Sequence, residues 1–166
     1  AIAGADPAHG LRLALALSTI VSGMAIGLAW RTFRSFAGAV VACLGILLLA
    51  QPFVLYPMQN GLETGLLLVF LFGLLCLDQR LDLLDPRAGL RCHALLGLVF
   101  GGTMLARLDA VFLAPGIALV LVARAYGRPD RAVAMRSALT GLVVLFAAAG
   151  LVLAPYLAWN GVAFGH

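Results

Sequence analysis

Residues 94–123 read "ALLGLVFGGTMLARLDAVFLAPGIALVLVA", an apolar run whose charges, Arg107 and Asp109, stand near its middle. The stretch is either one long helix or two short ones joined at the charges, and the whole fold turns on which. Deep in a lipid-spanning helix each charge costs at least about 2.5 kcal/mol. The flanks decide further. Arg80, Arg87 and Arg91 precede the run, and Arg124, Arg128, Arg131 and Arg136 follow it. Positive charge is retained in cytoplasmic loops, so both flanks belong on one side and an even number of crossings joins them. The reading is two short helices meeting at an outer turn around residues 107–109.

The same reasoning extends along the chain. Hydrophobic residues make up 63% of it and charged ones 11%, where a soluble domain carries roughly a quarter charged. Mean hydropathy is +1.07. One water-soluble core cannot hide so much apolar surface, and the surface comes in blocks between short polar breaks, as membrane helices require. The expected fold is therefore all-α and polytopic, a single transmembrane region over 1–166. Its apolar segments are 13–30, 36–50, 64–77, 94–106, 110–123 and 137–155, about six transmembrane helices. A helix needs about 20 residues to cross the hydrocarbon, so several must be short or kinked. Pro115 is expected to kink the fifth, and Pro52 with Pro57 to end the second. Short or broken helices are tolerated where they line a protein-walled or watery cavity, which is expected on the outer side.

All eleven basic residues are Arg. Arg31 and Arg34 share the side of the seven flanking arginines above, while Arg12 and Arg107 lie on the other. This places both ends of the chain, residues 51–63, the turn at 107–109 and a tail from Tyr156 outside a cytoplasmic membrane. "AIAGADPAHG" at residues 1–10 is no signal peptide, because no basic start precedes an apolar run. The chain is expected to be a piece of a longer protein.

Cys43 and Cys76 lie in apolar runs and are expected to be buried small hydrophobes. Cys92 and His93 have no second Cys or His at ligand spacing, so neither a metal site nor a disulfide framework is indicated. A divalent cation is left open without support from the sequence, and no nucleic-acid partner is expected. "DQRLDLLDPRAGLRCH" (78–93) and "ARAYGRPDRAVAMR" (123–136) read as solvated connectors facing lipid head groups.

Three outer breaks carry the polar side chains with chemical potential: "QNGLET" (59–64), "ARLDAV" (106–111) and "PYLAWNGVAFGH" (155–166). Each has a structural reading. Asn60 and Glu63 suit a capping box at a helix start, Asp109 a cap and Arg107 a snorkelling cation, and Tyr156 and Trp159 an interfacial aromatic belt. Each also has a binding reading. Glu63 can accept bonds from sugar hydroxyls, and Arg107 offers a planar fork to phosphate. Tyr156 and Trp159 can stack on a sugar, and Asn160 can bond its hydroxyls. Two residues apart, Arg107 and Asp109 would not meet on a helix, so contact between them requires a turn.

The ordered set "NGLETGLLLVF", "MLARLDAVFLAPG" and "APYLAWNGVAFG" resembles the middle of bacterial integral-membrane glycosyltransferases of the GT-C superfamily. That group includes protein mannosyltransferases, lipid A aminoarabinose transferases and cell-wall arabinofuranosyltransferases. Gly61, Leu62, Glu63 and Thr64 match a G-[ML]-E-T element, Arg107 and Asp109 an Arg-x-[DE] element, and Pro155, Tyr156, Trp159, Phe164 and Gly165 a closing element. The likeness spans about residues 51 to 166. Relatives carry Pro and Gly where this chain has Leu108 and Ala110, and their acidic catalytic loop lies upstream of everything here, so no catalytic residue is assigned. The resemblance implies transfer of a sugar from a polyprenyl-phosphate donor to an acceptor on the outer side of the membrane. Substrate-binding residues would be Asn60, Glu63, Arg107, Asp109, Tyr156, Trp159 and Asn160, with membrane lipids as surroundings. The alternatives are a transporter or permease fragment, whose coupling groups belong near the bilayer midplane, and a noncatalytic membrane scaffold.

Overall fold

The structure, a computed structural model, describes residues 7–51, 62–81, 83–84 and 89–165. Among the described residues the chain is all-α: α1 (Pro7–Leu49), α2 (Leu62–Arg80), α3 (Gly89–Ala106), a 3-10 turn (Leu108–Phe112), α4 (Leu113–Tyr126) and α5 (Arg131–Phe164). Each of the six expected apolar segments has a helical counterpart, the first two sharing α1. Gly10–Ser35, Leu108–Tyr126 and Arg131–Phe164 are long and apolar enough to cross a membrane, and Gly38–Leu49 and Leu90–Ala106 are shorter apolar helices. The chain falls into two compact units, residues 1–76 and 77–166.

In the first unit α1 breaks at Gly38, whose φ of 84° and ψ of −178° lie in a region essentially confined to glycine. The break is a reversal. In an unbroken helix Phe33 and Gly45 would stand about 18 Å apart, yet the Phe33 ring lies so close to Gly45 that a methyl there would overlap it. Gly38 is thus the tip of a helical hairpin. The expected loop around Arg31 and Arg34 is corrected: both are helical, because Arg is a good helix former and a cation is favoured near a helix C-terminus.

Ser18, Ser22, Ala25, Ala29 and Thr32 form a buried stripe at helical spacing on α1. Small residues let backbones approach, and their hydroxyls bond across helices. Thr32 Oγ1 donates to the Leu28 carbonyl at 2.9 Å and lies 3.2 Å from Cys76 Sγ on α2. Phe33 and Phe72 pack edge to face with centroids 5.6 Å apart. Cys76 is accordingly half-buried, whereas Cys43 is exposed on the helix surface, against expectation. Its neighbours Val40, Leu44 and Leu47 are exposed as well, so this face of the hairpin is apolar and uncovered among the described residues. The helix stops at Leu49, shortly before Pro52, while Pro52 and Pro57 lie outside the described residues.

The second unit is organised by α3 and α5. His93 packs on Gly141, Gly97 on Leu145 and Gly101 on Ala149, so a step of four along one helix matches a step of four along the other. The two helices therefore run parallel, and α4 returns the chain between them. That is the two-helix reading of residues 94–123. α3 ends at Ala106, and Arg107 is extended (φ −151°, ψ 122°) before the 3-10 turn begins.

Pro115 does not kink the interior of α4. It sits in the first turn, where its missing N–H breaks no helical bond, and it prevents the preceding 3-10 residues from continuing as α-helix. The expected end of the last segment at Pro155 is likewise corrected, since α5 runs on through Pro155 to Phe164. The proline leaves the Leu151 carbonyl without its helical partner, a loss the long apolar helix absorbs.

In this unit small residues sit between the helices beside a few large ones, Leu96, Phe100, Leu121 and Leu145, while many large apolar residues stand outside. Ala134, Ala138, Ala148 and Ala149 are buried, while Leu119, Val143 and Leu151 are 70%, 70% and 73% exposed. A soluble fold does not leave so many large apolar groups outside, because water drives them inward. The protein is built for lipid.

Candidate functional site

The parallel register of α3 and α5 fixes what lies level with what. Continued from Gly101 and Ala149, it brings Arg107, just past the end of α3, to the height of Pro155 and Tyr156 on α5. Two of the three polar breaks thus occupy one end of the second unit. The arginines at 124–136 occupy the other end, where α4 stops and α5 starts.

Arg107 and Asp109 meet directly. The Arg107 Nε and Nη2 donate to the two Asp109 carboxylate oxygens at 3.1 and 2.9 Å. The required turn is present: extended Arg107 is followed by the 3-10 residues, and Ala110 N–H bonds the Arg107 carbonyl at 3.0 Å. Ala110 is buried beneath, which anchors the turn. Asp109 does not cap α4 as expected. The position before α4 is Phe112, without a side-chain bond, and Asp109 spends both oxygens on the guanidinium. Both side chains are about half exposed, at 48% and 57%, so the pair contributes less than about 1 kcal/mol to stability. What it does is orient: the fork is held in one plane.

Tyr156, Trp159 and Asn160 lie in α5 rather than in a loop. Spaced by three and four residues, they share one helical face. Trp159 is 70% exposed, Tyr156 is 40% exposed, and Asn160 is half-buried. An exposed indole and phenol with an amide beside them can cover an apolar sugar face and bond its hydroxyls.

Glu63 belongs to the first unit. It is exposed in the first turn of α2, where the helix dipole favours a carboxylate. Asn60, its expected capping partner, lies outside the described residues. Among the described residues no three His, Cys, Asp or Glu side chains gather at metal-ligand distance.

Two features were not legible as sites. His93, expected in a polar connector, lies inside α3, 3% exposed, with neither ring nitrogen bonded among the described residues. Leu83 and Leu84, in the stretch taken as solvated, are 2% and 4% exposed, and Leu84 packs with Ala125, Ala134 and Ala138. The connectors also touch: Arg124 forms a two-pronged pair with Asp78, both contacts 2.9 Å. The adjacent leucines within "DLLD" were the available signal. Comparison with family models, with curated proteins and with solved structures finds no match.

Proposed function

We propose that this chain is part of a membrane glycosyltransferase that moves a sugar from a polyprenyl-phosphate donor to an acceptor at the outer face of the cytoplasmic membrane. The observation that carries the reading is the Arg107 fork, held by Asp109 level with the Tyr156–Trp159–Asn160 face and at the end opposite the arginine-rich loops. The order of the three sequence motifs points the same way.

A lipid-linked donor suits this arrangement physically. Its tail partitions among the helices, its phosphate needs a cation at the interface, and its sugar projects toward the aromatic face. Arg107 takes the phosphate, with Asp109 keeping the guanidinium in plane until it arrives. Tyr156 and Trp159 stack on the sugar, and Asn160 orients its hydroxyls. In the transfer the acceptor oxygen bonds the anomeric carbon as the bond to the phosphate oxygen breaks. The phosphate leaves with the electron pair, and a general base removes the acceptor proton.

The test is Arg107→Ala, Arg107→Lys and Glu63→Gln in the full-length protein, with transfer measured from lipid-linked donors. Because the Arg107–Asp109 pair is exposed, Arg107→Ala should leave thermal unfolding nearly unchanged while lowering transfer by at least about tenfold, the value of one charge-assisted contact of about 1.4 kcal/mol. Lys should restore less than half of that loss, since it offers charge without the fork. Native rates in correctly folded Arg107→Ala or Glu63→Gln would remove that residue from a substrate-binding role.

A further inference from the structure

His93 stands in the second turn of α3, 3% exposed, with no bond to either ring nitrogen among the described residues. The transfer proposed above makes no use of it. A buried imidazole without a partner costs the fold, and an apolar side chain would fill the same space without that cost. Its neighbour on α5 shows what it does. The edge of the ring lies so close to Gly141 that a methyl on that glycine would overlap it.

The contacts that follow reverse this arrangement. At His93 the large side chain is on α3 and the notch on α5, whereas one turn further the notch is Gly97 and the large side chain is Leu145. Gly101 against Ala149 continues the second pattern. This reversal of sizes sets the register. Sliding α3 one turn, about 5.4 Å, toward its Arg107 end would carry the His93 ring onto Leu145, which is already fully buried, so two large side chains would claim one space. Sliding it the other way is opposed by charge. Arg107 and Asp109 would leave the height of Pro155 and come level with Leu151 and Leu153, in the apolar body of α5.

We propose that His93 is a positioning residue: seated over Gly141, it stops α3 from slipping along α5 and so keeps the Arg107 fork level with Tyr156 and Trp159. Its bearing on sugar transfer rests on the function proposed above. A glycine at this position would only extend the track of Gly97 and Gly101, along which the side chains of α5 fit in more than one register. Fixing register at a cost in stability is the best-attested use of a buried polar side chain between helices.

The test places spin labels at Leu90→Cys and Leu157→Cys, both exposed positions, in the full-length protein with its native cysteines replaced by alanine. In the native register these labels stand about 28 Å apart along the axis, and double electron–electron resonance gives a single distance. His93→Ala adds a second population about 5 Å shorter, one helical turn. His93→Phe keeps the stop and the single distance. His93→Gly combined with Gly141→Leu restores the lost volume but extends the glycine track, so it slips as His93→Ala does, a result that loss of stability does not imitate. A donor that bridges Arg107 and the aromatic face selects the unslipped register, so with half the molecules slipped its KM rises about twofold while kcat holds. A single native distance in His93→Ala or in the glycine–leucine exchange, or a slipped one in His93→Phe, would overturn the assignment. Should His93→Ala fail to fold, the exchange and the Phe variant decide between these outcomes. Slipped distances with an unchanged KM would leave the stop standing and count instead against the Arg107–Tyr156 reading of transfer.

Discussion

Glycines divide sharply by what surrounds them. Gly38 supplies a backbone shape that other residues reach only under strain, so Gly38→Ala should cost about 1–3 kcal/mol. Gly97 is a different case, because a methyl there would overlap the backbone oxygen of Leu145, which cannot rotate away. Gly97→Ala should destabilise by about 1–3 kcal/mol through forced separation of α3 and α5. Gly150 has nothing within 4 Å of an added methyl, and its alanine variant should be stabilised by about 0.5–1 kcal/mol through helix propensity alone. Unfolding by denaturing detergent, followed by circular dichroism, measures all three. A Gly97 variant as stable as the Gly150 variant would contradict the packing described between α3 and α5.

Among the elements, α5 shows how proline and sequence pattern can disagree. Pro155, Asn160 and Gly161 read as punctuation, yet the helix passes through all three because its apolar length and its packing on α3 outweigh local preference. Interior proline disfavours a helix by about 3 kcal/mol, so Pro155→Ala should raise stability by up to that amount. The same change should swing Tyr156, Trp159 and Asn160 about the axis and lower sugar transfer, a pairing of gain and loss that unfolding and activity assays read separately. The helices themselves were legible because their apolar lengths and charged ends are set by the bilayer. The Gly38 reversal was not, because "RSFAGAV" places arginines, the usual mark of a loop, several residues before the turn. The Arg107–Asp109 contact was legible only as a condition, that a turn exist. The Tyr156 face was hidden by treating a helix as a tail, and the buried Leu83–Leu84 by reading a charged connector as wholly solvated.

For the molecule as a whole, arginine placement made a definite claim: the turn at 107–109 and the end of α5 share a side, and the turn after α4 faces the other. The parallel course of α3 and α5 agrees within the second unit. Single cysteines at Leu108, Gly127 and Trp159, in a chain with Cys43, Cys76 and Cys92 replaced by alanine, test it with an impermeant thiol reagent in intact cells. Leu108→Cys and Trp159→Cys should react and Gly127→Cys should not until the membrane is opened. Reaction at all three sites alike would dismantle the membrane topology.

The length of α5 carries one more consequence. Its 34 residues extend about 51 Å at 1.5 Å each, while the hydrocarbon slab is about 30 Å thick. From Arg136 to Pro155 the helix covers about 29 Å, a length that matches the oily layer, and a helix set upright there would carry its final turns above it like a mast. Bilayer thickness then becomes a control variable: a thinner membrane lifts Trp159 clear of the headgroups, and a thicker one draws it down among them.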